Sequence, residues 1–477
     1  MTHRDTDNKA SKQDESNEEL HANKTETDDS KCNIHHPSTL LIRKLSSFQS
    51  FKISTIASKG LPLNMKLDLF AKSIRRLFCG TLSLLWCVSV PLGATLPNRQ
   101  GVLQQRIIRY SEIIQSETQW LSETALSNGA IAFRPITNGE TYINPYFSCY
   151  TILALLNGTP SAERIALCQN AIDWHFSHLN SQVLGGVQLA ATIFDYTAVV
   201  KDGVVVSEHT DQTQDSTDSY SAAFILVLDA FAKTKNGASY LIAHRQEFSD
   251  VLSVMLATLS NDGLTFAKPD YKIAYLMDNC EVLYALKAAE RLLREIYLPD
   301  TSLSAWQKAA LEQDLARAVS AQNIIANALE STLWNAGGGY YAPYLSSSQA
   351  ASFDPEVFYA DAVSQLCPII YGVISPQSSR AKEIYQTFCA HWDWETLAHV
   401  NNGDTSYYWG MIAYCAALMG DSSRLDRFLK HYQNEIMPTH DMPIFNSDAA
   451  WVVLACQRAL RDCKEELSQI SRFHMPT

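Results

Sequence analysis

Beyond Pro97 the apolar residues recur at helical spacing, interrupted by clusters of Gly, Pro, Asn and Asp. This pattern predicts twelve helices, near 103–127, 145–157, 161–179, 217–234, 237–260, 277–297, 302–331, 356–371, 376–391, 405–420, 422–435 and 446–464. Some junctions are short and turn-like, such as Asn157-Gly158-Thr159-Pro160 and Gly420-Asp421-Ser422. Others, 181–216 and 332–355, are long and hold aromatic or β-branched residues. No stretch is long enough for the strands of a central sheet.

Every second helix is nearly all apolar, as in Phe224-Ile225-Leu226-Val227-Leu228, the run from Leu366 to Val373, that from Met411 to Met419, and that from Ala449 to Cys456. The helices between them carry charge, as from Gln307 to Glu330. A helix apolar all round is buried, whereas one with a polar face meets water. Six buried helices alternating with six exposed ones predict an all-α toroid, an (α/α)6 arrangement of six helical hairpins over 97–477. A linear solenoid would show a fixed repeat length, and the spacing here is unequal. One internal echo supports the repeat. Asn128-Gly129-Ala130-Ile131-Ala132-Phe133, Asp262-Gly263-Leu264-Thr265-Phe266-Ala267 and Gly338-Gly339-Tyr340-Tyr341-Ala342-Pro343 each follow an outer helix and lead toward the next inner one.

Apolar residues make up 46% of the 477 and charged ones 18%, which suits a large core. The chain carries a formal net charge of −12. The first 94 residues hold 13 Lys/Arg and 10 Asp/Glu, leaving 25 basic against 40 acidic residues in the rest. An acidic body repels phosphate backbones, so nucleic acid is not an expected partner. The cysteines show no metal-ligand spacing, and Cys149, Cys168, Cys280, Cys367, Cys389, Cys415 and Cys456 sit inside apolar helical runs. No metal or other cofactor is expected.

Residues 1–64 are polar and read as a disordered extension. At Met65 the character changes: Lys66, Lys72, Arg75 and Arg76 precede an apolar run from Leu77 to Val90, which ends in Pro91-Leu92-Gly93-Ala94. This is the layout of a secretory signal over 65–96. An uncleaved membrane anchor through 77–96 is the competing reading. Both place the body in the periplasm or outside the cell. A signal normally stands at the true N-terminus, so Met65 is the expected start.

In such a toroid all inner helices run the same way, and their starts meet at one mouth. That places Asp218, Asp278, Glu281, Asp361, Asp404 and Asp448 around one opening. Among them stand Tyr220, Tyr271, Tyr275, Trp334, Tyr340, Tyr407, Tyr408 and Trp409. Asp and Asn also cap helices, and capping accounts for any one of these acids. Two pairs go beyond a cap, Asp215 with Asp218 and Asp278 with Glu281. Paired carboxyls suit glycosidic chemistry, in which one protonates the leaving oxygen and the other activates water or attacks the sugar. Aromatic faces stack on sugar rings.

The helix count, the alternation and segments such as Asp215-Ser216-Thr217-Asp218-Ser219-Tyr220 and Tyr275-Leu276-Met277-Asp278-Asn279-Cys280-Glu281 resemble the six-hairpin glycosidase superfamily over about 100–464. The resemblance implies a glycoside hydrolase with carbohydrate as its partner and acids at inner-helix starts as catalytic groups. Asp218 with Asp278 is the expected acid/base pair, with Glu281, Asp361 and Asp404 as supporting or alternative carboxylates. These aromatics and Asp448 are expected to bind substrate, Tyr408 or Trp409 as a stacking platform and Asp404 through a hydrogen bond. Two other readings stay open: a polysaccharide lyase or epimerase using Tyr271, Tyr407, His399 and Lys268, and a non-catalytic glycan-binding protein of an export system.

Overall fold

A computed structural model describes residues 96–184, 187–188, 190–401, 409–441 and 444–473. The expected extension and signal lie outside these residues, as do Asp404, Tyr407 and Tyr408. Six segments form the inner helices: α2 (Pro145–Leu156), α4 (Asp218–Ala232), α7 (Leu276–Leu292), α9 (Cys367–Ile370), α11 (Met411–Met419) and the first part of α13 (Asn446–Phe473). Each packs on the next, and α13 packs on α2, so the cycle closes. Between them run the outer helices: α1 (Leu96–Ser122), α3 (Ala162–Ser177), the broken pair α5 (Gly237–Ala243) and α6 (Arg245–Ala257), α8 (Ala305–Ala328), α10 (Ser379–His391) and α12 (Ser422–His431). The path is six helical hairpins closed on themselves.

The inner helices are lined by small or β-branched side chains that let their axes approach. Ala222, Ala223, Phe224, Ile225, Val227 and Leu228 of α4 are fully enclosed, facing neighbours on all sides. The outer helices bury one face and are capped toward water, as where Ser304 and Gln307 form a reciprocal capping box at the start of α8. Salt bridges fasten the seam between chain beginning and end: Arg106 to Asp426 at 2.8 Å, and Arg99 to Glu466.

Three elements depart from the sequence pattern, the first being the outer helix expected over 237–260, which His244 divides into α5 and α6. The inner helix expected over 356–371 is a π turn, Phe358–Ala362, followed by the single turn of α9. Pro368 lies within that turn and supplies no backbone N–H, and Gly372 leaves it at φ 65°. Of the helix expected from 405, the described part is Met411–Met419, and Trp409 shortly before it adopts a left-handed φ of 53°.

Among the described residues ten short strands sit in the connections and form four small sheets. β1 (Gly139–Ile143), β4 (Tyr196–Lys201) and β5 (Val204–His209) make one antiparallel sheet in the order β1-β4-β5. The sequence echo is a structural repeat. After α1 and α6 the chain makes the same tight hairpin, in which Ala125 bridges Ile131 and Leu259 bridges Thr265, and after α8 it makes one a residue longer, in which Trp334–Asn335 pairs with Tyr340–Tyr341. Each turns on a glycine of positive φ, Gly129 (96°), Gly263 (82°) and Gly339 (72°). Each is clamped by a polar side chain of the following inner segment. Ser148 Oγ donates to Ile131 O at 3.1 Å. Asn279 accepts from Thr265 N at 2.8 Å and donates to its carbonyl at 3.0 Å. Gln365 does the same to Tyr341, at 2.8 Å in both directions.

Two of these glycines separate backbone strain from crowding. A Cβ at Gly129 would lie 2.6 Å from the Asn170 carbonyl oxygen, whereas one at Gly339 meets nothing within 4 Å. Gly339→Ala is expected to cost about 1 kcal/mol, the left-handed penalty alone, and Gly129→Ala about 2–3 kcal/mol. Denaturant unfolding of both variants checks the order; equal losses would contradict it.

Candidate active site

Closure of the inner cycle brings five carboxyl groups together. Asp218 opens α4. Asp278 and Glu281 lie three residues apart at the start of α7, on one helical face. Asp215 precedes α4, and Asp195 stands immediately before β4 in the long 181–216 connection. Their charges act on one another: that of Asp215 reaches Asp195, Asp218 and Asp278, and that of Asp218 reaches Asp278 and Glu281.

The hydrogen bonds of three of these acids are with neutral groups. Asp195 accepts from Tyr142 OH at 2.5 Å, Tyr220 OH at 2.9 Å and Asn144 Nδ2 at 3.1 Å. Asp218 accepts from Thr265 Oγ1 and from Ser219 N, each at 2.8 Å. Glu281 accepts from Tyr146 OH at 3.1 Å and from Tyr150 OH, which also lies 2.6 Å from Tyr371 OH. Burial disfavours the charged form of a carboxyl, and neighbouring carboxylates add to the effect. Burial, opposed by the tyrosine hydrogen bonds and aided by Asp215, pushes Asp195 up to about 7. Burial raises Asp218 to about 7 against the Thr265 and Ser219 bonds. It raises Glu281 to about 8 against the Tyr150 and Tyr146 bonds. Asp278 is held well above the ordinary range, first by burial and then by Asp218, Glu281 and Asp215.

Accessibility divides the five. Asp218 and Glu281 are enclosed, at 0% and 1% exposure, and Asp195 is buried. Asp215 and Asp278 are half-buried. These two are the members of the group that are not enclosed, although Oδ1 of Asp215 is itself buried.

Aromatic rings flank Asp278. Its charge acts on Tyr275, whose hydroxyl is 3.2 Å from that of Tyr271; Tyr275 also interacts with Tyr359. The Tyr359 ring lies 5.1 Å from that of Trp409, and both residues are half-buried. Lys268 Nζ sits 5.7 Å over the Tyr271 ring and donates to Gln214 O at 3.4 Å. The left-handed backbone at Trp409 is rare for a bulky residue, and such conformations cluster at functional sites.

The remaining expected residues take other places, and of them Tyr220 alone is described in contact with the five carboxyls. Tyr220 is enclosed; its ring stacks on Tyr146 at 5.7 Å and its hydroxyl serves Asp195, so it packs beneath the mouth. Asp361 accepts from Asp354 N at 2.8 Å and so braces its own loop. Asp448 is buried and accepts from Gly410 N at 3.2 Å. Trp334 packs on Tyr341 and under Arg380, while Tyr340 meets Phe353 and Asn335. None of the contacts described for Trp334 or Tyr340 involves the five carboxyls. His399 is buried, with its ring 4.6 Å from that of Phe358. Sequence reasoning passed over Asp195, which starts no helix. Its one signal was an acid between Phe194 and Tyr196 in a stretch otherwise apolar and β-branched.

No protein-family model and no curated protein matches the sequence. Solved structures with a similar chain path are glycosidases. One described as a wild-type glycosidase is 14% identical, with 75% of this chain and 98% of that one covered and a TM-score of 0.47. An α-amylase from Clostridium perfringens is 11% identical, over 72% and 97% of the two chains, at 0.43. A family GH78 rhamnosidase of Bacillus sp. GL1 is 10% identical, over 72% and 34%, at 0.42. At these identities and scores the likenesses assign no activity, and the functional reading rests on the side chains above.

The raised carboxyls set a pH dependence of stability. Unfolded Asp and Glu titrate near 4, and in the folded chain Asp195, Asp218 and Glu281 hold protons to about 7 or 8. The folded state therefore binds more protons between these values, and the stability they lend is full below about pH 4 and lost as pH rises through 7 to 8. The melting temperature is expected to fall by several degrees from about pH 5 to about pH 8, and less in Glu281→Gln. A melting temperature that rises over this range would show these groups ionised in the folded protein.

Proposed function

We propose that the protein is an exported glycoside hydrolase of an envelope or extracellular polysaccharide, with Asp278 as proton donor and Asp215 as its partner carboxylate. The observation that carries this reading is the division of the cluster. Of the five crowded carboxyls, Asp215 and Asp278 alone are half-buried, and the Asp278 charge reaches Tyr275, which is paired with Tyr271. A general acid must hold its proton at working pH and reach the leaving oxygen. Asp278 meets the first need through burial and three acidic neighbours, and the second through its accessible edge. Asp215 then activates water or attacks the anomeric carbon from the other side of the bond.

Asp218, the partner favoured from sequence, lies enclosed with its oxygens engaged by Thr265 and Ser219. Its role is to keep Asp278 protonated. The acidity of the mouth favours neutral or amino-sugar units over uronates.

The test is reducing-sugar release by the full chain from a panel of neutral, amino-sugar and uronate polysaccharides. Activity on a neutral or amino-sugar polymer is expected. Asp278→Asn and Asp215→Asn should each lower kcat by about 10²–10⁴-fold, the usual contribution of a positioned acid or base. Asp218→Asn should cost less. Full activity in either of the first two variants would overturn the assignment. An unsaturated, ultraviolet-absorbing product would select a lyase, and glycan binding without turnover a binding protein.

Trp409 is the proposed platform, beside Tyr359. Trp409→Ala should weaken glycan binding by about 1–3 kcal/mol, the scale of a lost ring-stacking contact, with the melting temperature held. Calorimetric titration with an oligosaccharide of the hydrolysed polymer measures this. Lower stability with unchanged affinity would make Trp409 a packing residue.

A further inference from the structure

Behind Asp278, one helical turn along α7, Glu281 is enclosed at 1% exposure. The groups facing it come from four directions. From α2 come Tyr146, Cys149 and Tyr150, the two tyrosines donating to its carboxyl. From α4 comes Asp218. From α9 and the residue after it come Cys367 and Tyr371, with the Tyr371 hydroxyl 2.6 Å from that of Tyr150. From its own helix come Cys280 and Asp278. Among the described residues none of these facing groups is a cation. A structural carboxylate in a core is ordinarily paired with one, as Asp229 is here with Arg291 and Lys233.

The geometry points to Glu281 as a positioning residue that, with Tyr146, Tyr150 and Tyr371, fixes the proton affinity of Asp278 from beneath. This rests on the reading of Asp278 as the proton donor. Two carboxyls three residues apart on one buried helical face cannot both ionise without repulsion in a low dielectric. The first to lose its proton makes the second hold its own more tightly. The tyrosine hydroxyls are placed to receive that first charge at Glu281, so Asp278 is the second of the pair to give up its proton. The raised affinities of both groups agree in direction.

The experiment is a carboxyl titration of the full chain by NMR, with ¹³C in the side-chain carboxyls. The Asp278 resonance is identified by its loss in Asp278→Asn. No substrate is needed, so the result is separate from the hydrolase assay. In the wild type the Asp278 midpoint should lie above the ordinary aspartate range, and in Glu281→Gln it should fall by about one pH unit. An unmoved midpoint in a folded Glu281→Gln would overturn the inference and leave Glu281 a packing group. Should Glu281→Gln not fold, Tyr150→Phe removes one donor and disfavours the Glu281 charge; it should move the Asp278 midpoint in the same direction, and no movement would again overturn the inference. If the midpoint shifts as expected but Asp278→Asn keeps full activity, the coupling stands and the assignment of Asp278 as proton donor fails.

Discussion

The constraint on which the structure depends is closure. A helix that is apolar on every side has no face to give to water, so a row of such helices must return on itself. Six do so here, and the last helix supplies the return by packing on both α1 and α2. Asn446 N, at the start of that helix, donates to Phe133 O at 3.0 Å, tying the last inner start to the connection that leads into the first inner helix. Closure sets the starts of α4 and α7 side by side, with the 181–216 connection against them, and the carboxyl cluster is a consequence of how the core is buried.

Electrostatics differs between the mouth and the rest of the protein. On the outer layer, carboxylates meet cations: Asp426 with Arg106, Glu395 with Arg424 and Arg427, Glu330 with Arg380. In the mouth, the hydrogen bonds of Asp195, Asp218 and Glu281 are with hydroxyls and amides. A neutral donor offsets only part of the desolvation that a full counter-charge would offset. The proton remains as the charge-neutralising group, and crowding the acids makes each hold its proton more firmly. A site organised this way keeps a supply of acid at neutral pH, which cleavage of a glycosidic bond requires at its leaving oxygen.

Much of the fold was legible because it is written in period and contrast. The alternation of apolar with charged helices marked the two layers, and the Gly-aromatic echo marked three hairpins, two with the same hydrogen bonding and a third one residue longer. The failures have local causes. Pro368 and Gly372 break a segment whose apolar content reads as one helix, and His244 divides the outer helix expected over 237–260 into α5 and α6. Asp278 and Glu281 were legible as a pair because helical spacing fixes their shared face. Asp195 was not, since it reaches the cluster only through the fold of a long connection: Tyr142 of β1 and Tyr220 of α4 hold it from two elements distant in sequence.

The choice between Asp215 and Asp218 shows where sequence pattern ends and packing begins. Both stand near the start of α4, and spacing alone does not say which is enclosed. The repeated hairpin decides it. Its turn places Thr265 against α4, where the Thr265 hydroxyl donates to Asp218, while Asn279 of α7 clamps the Thr265 backbone from the other side. The Gln365–Tyr341 clamp is the same device one hairpin further on, with no acid in reach of a threonine because the clamped residue is a tyrosine turned to Glu330 and Arg380. The element that seals the joint between inner starts thus also selects which carboxyl is enclosed, Asp218, and which stays half-buried, Asp215.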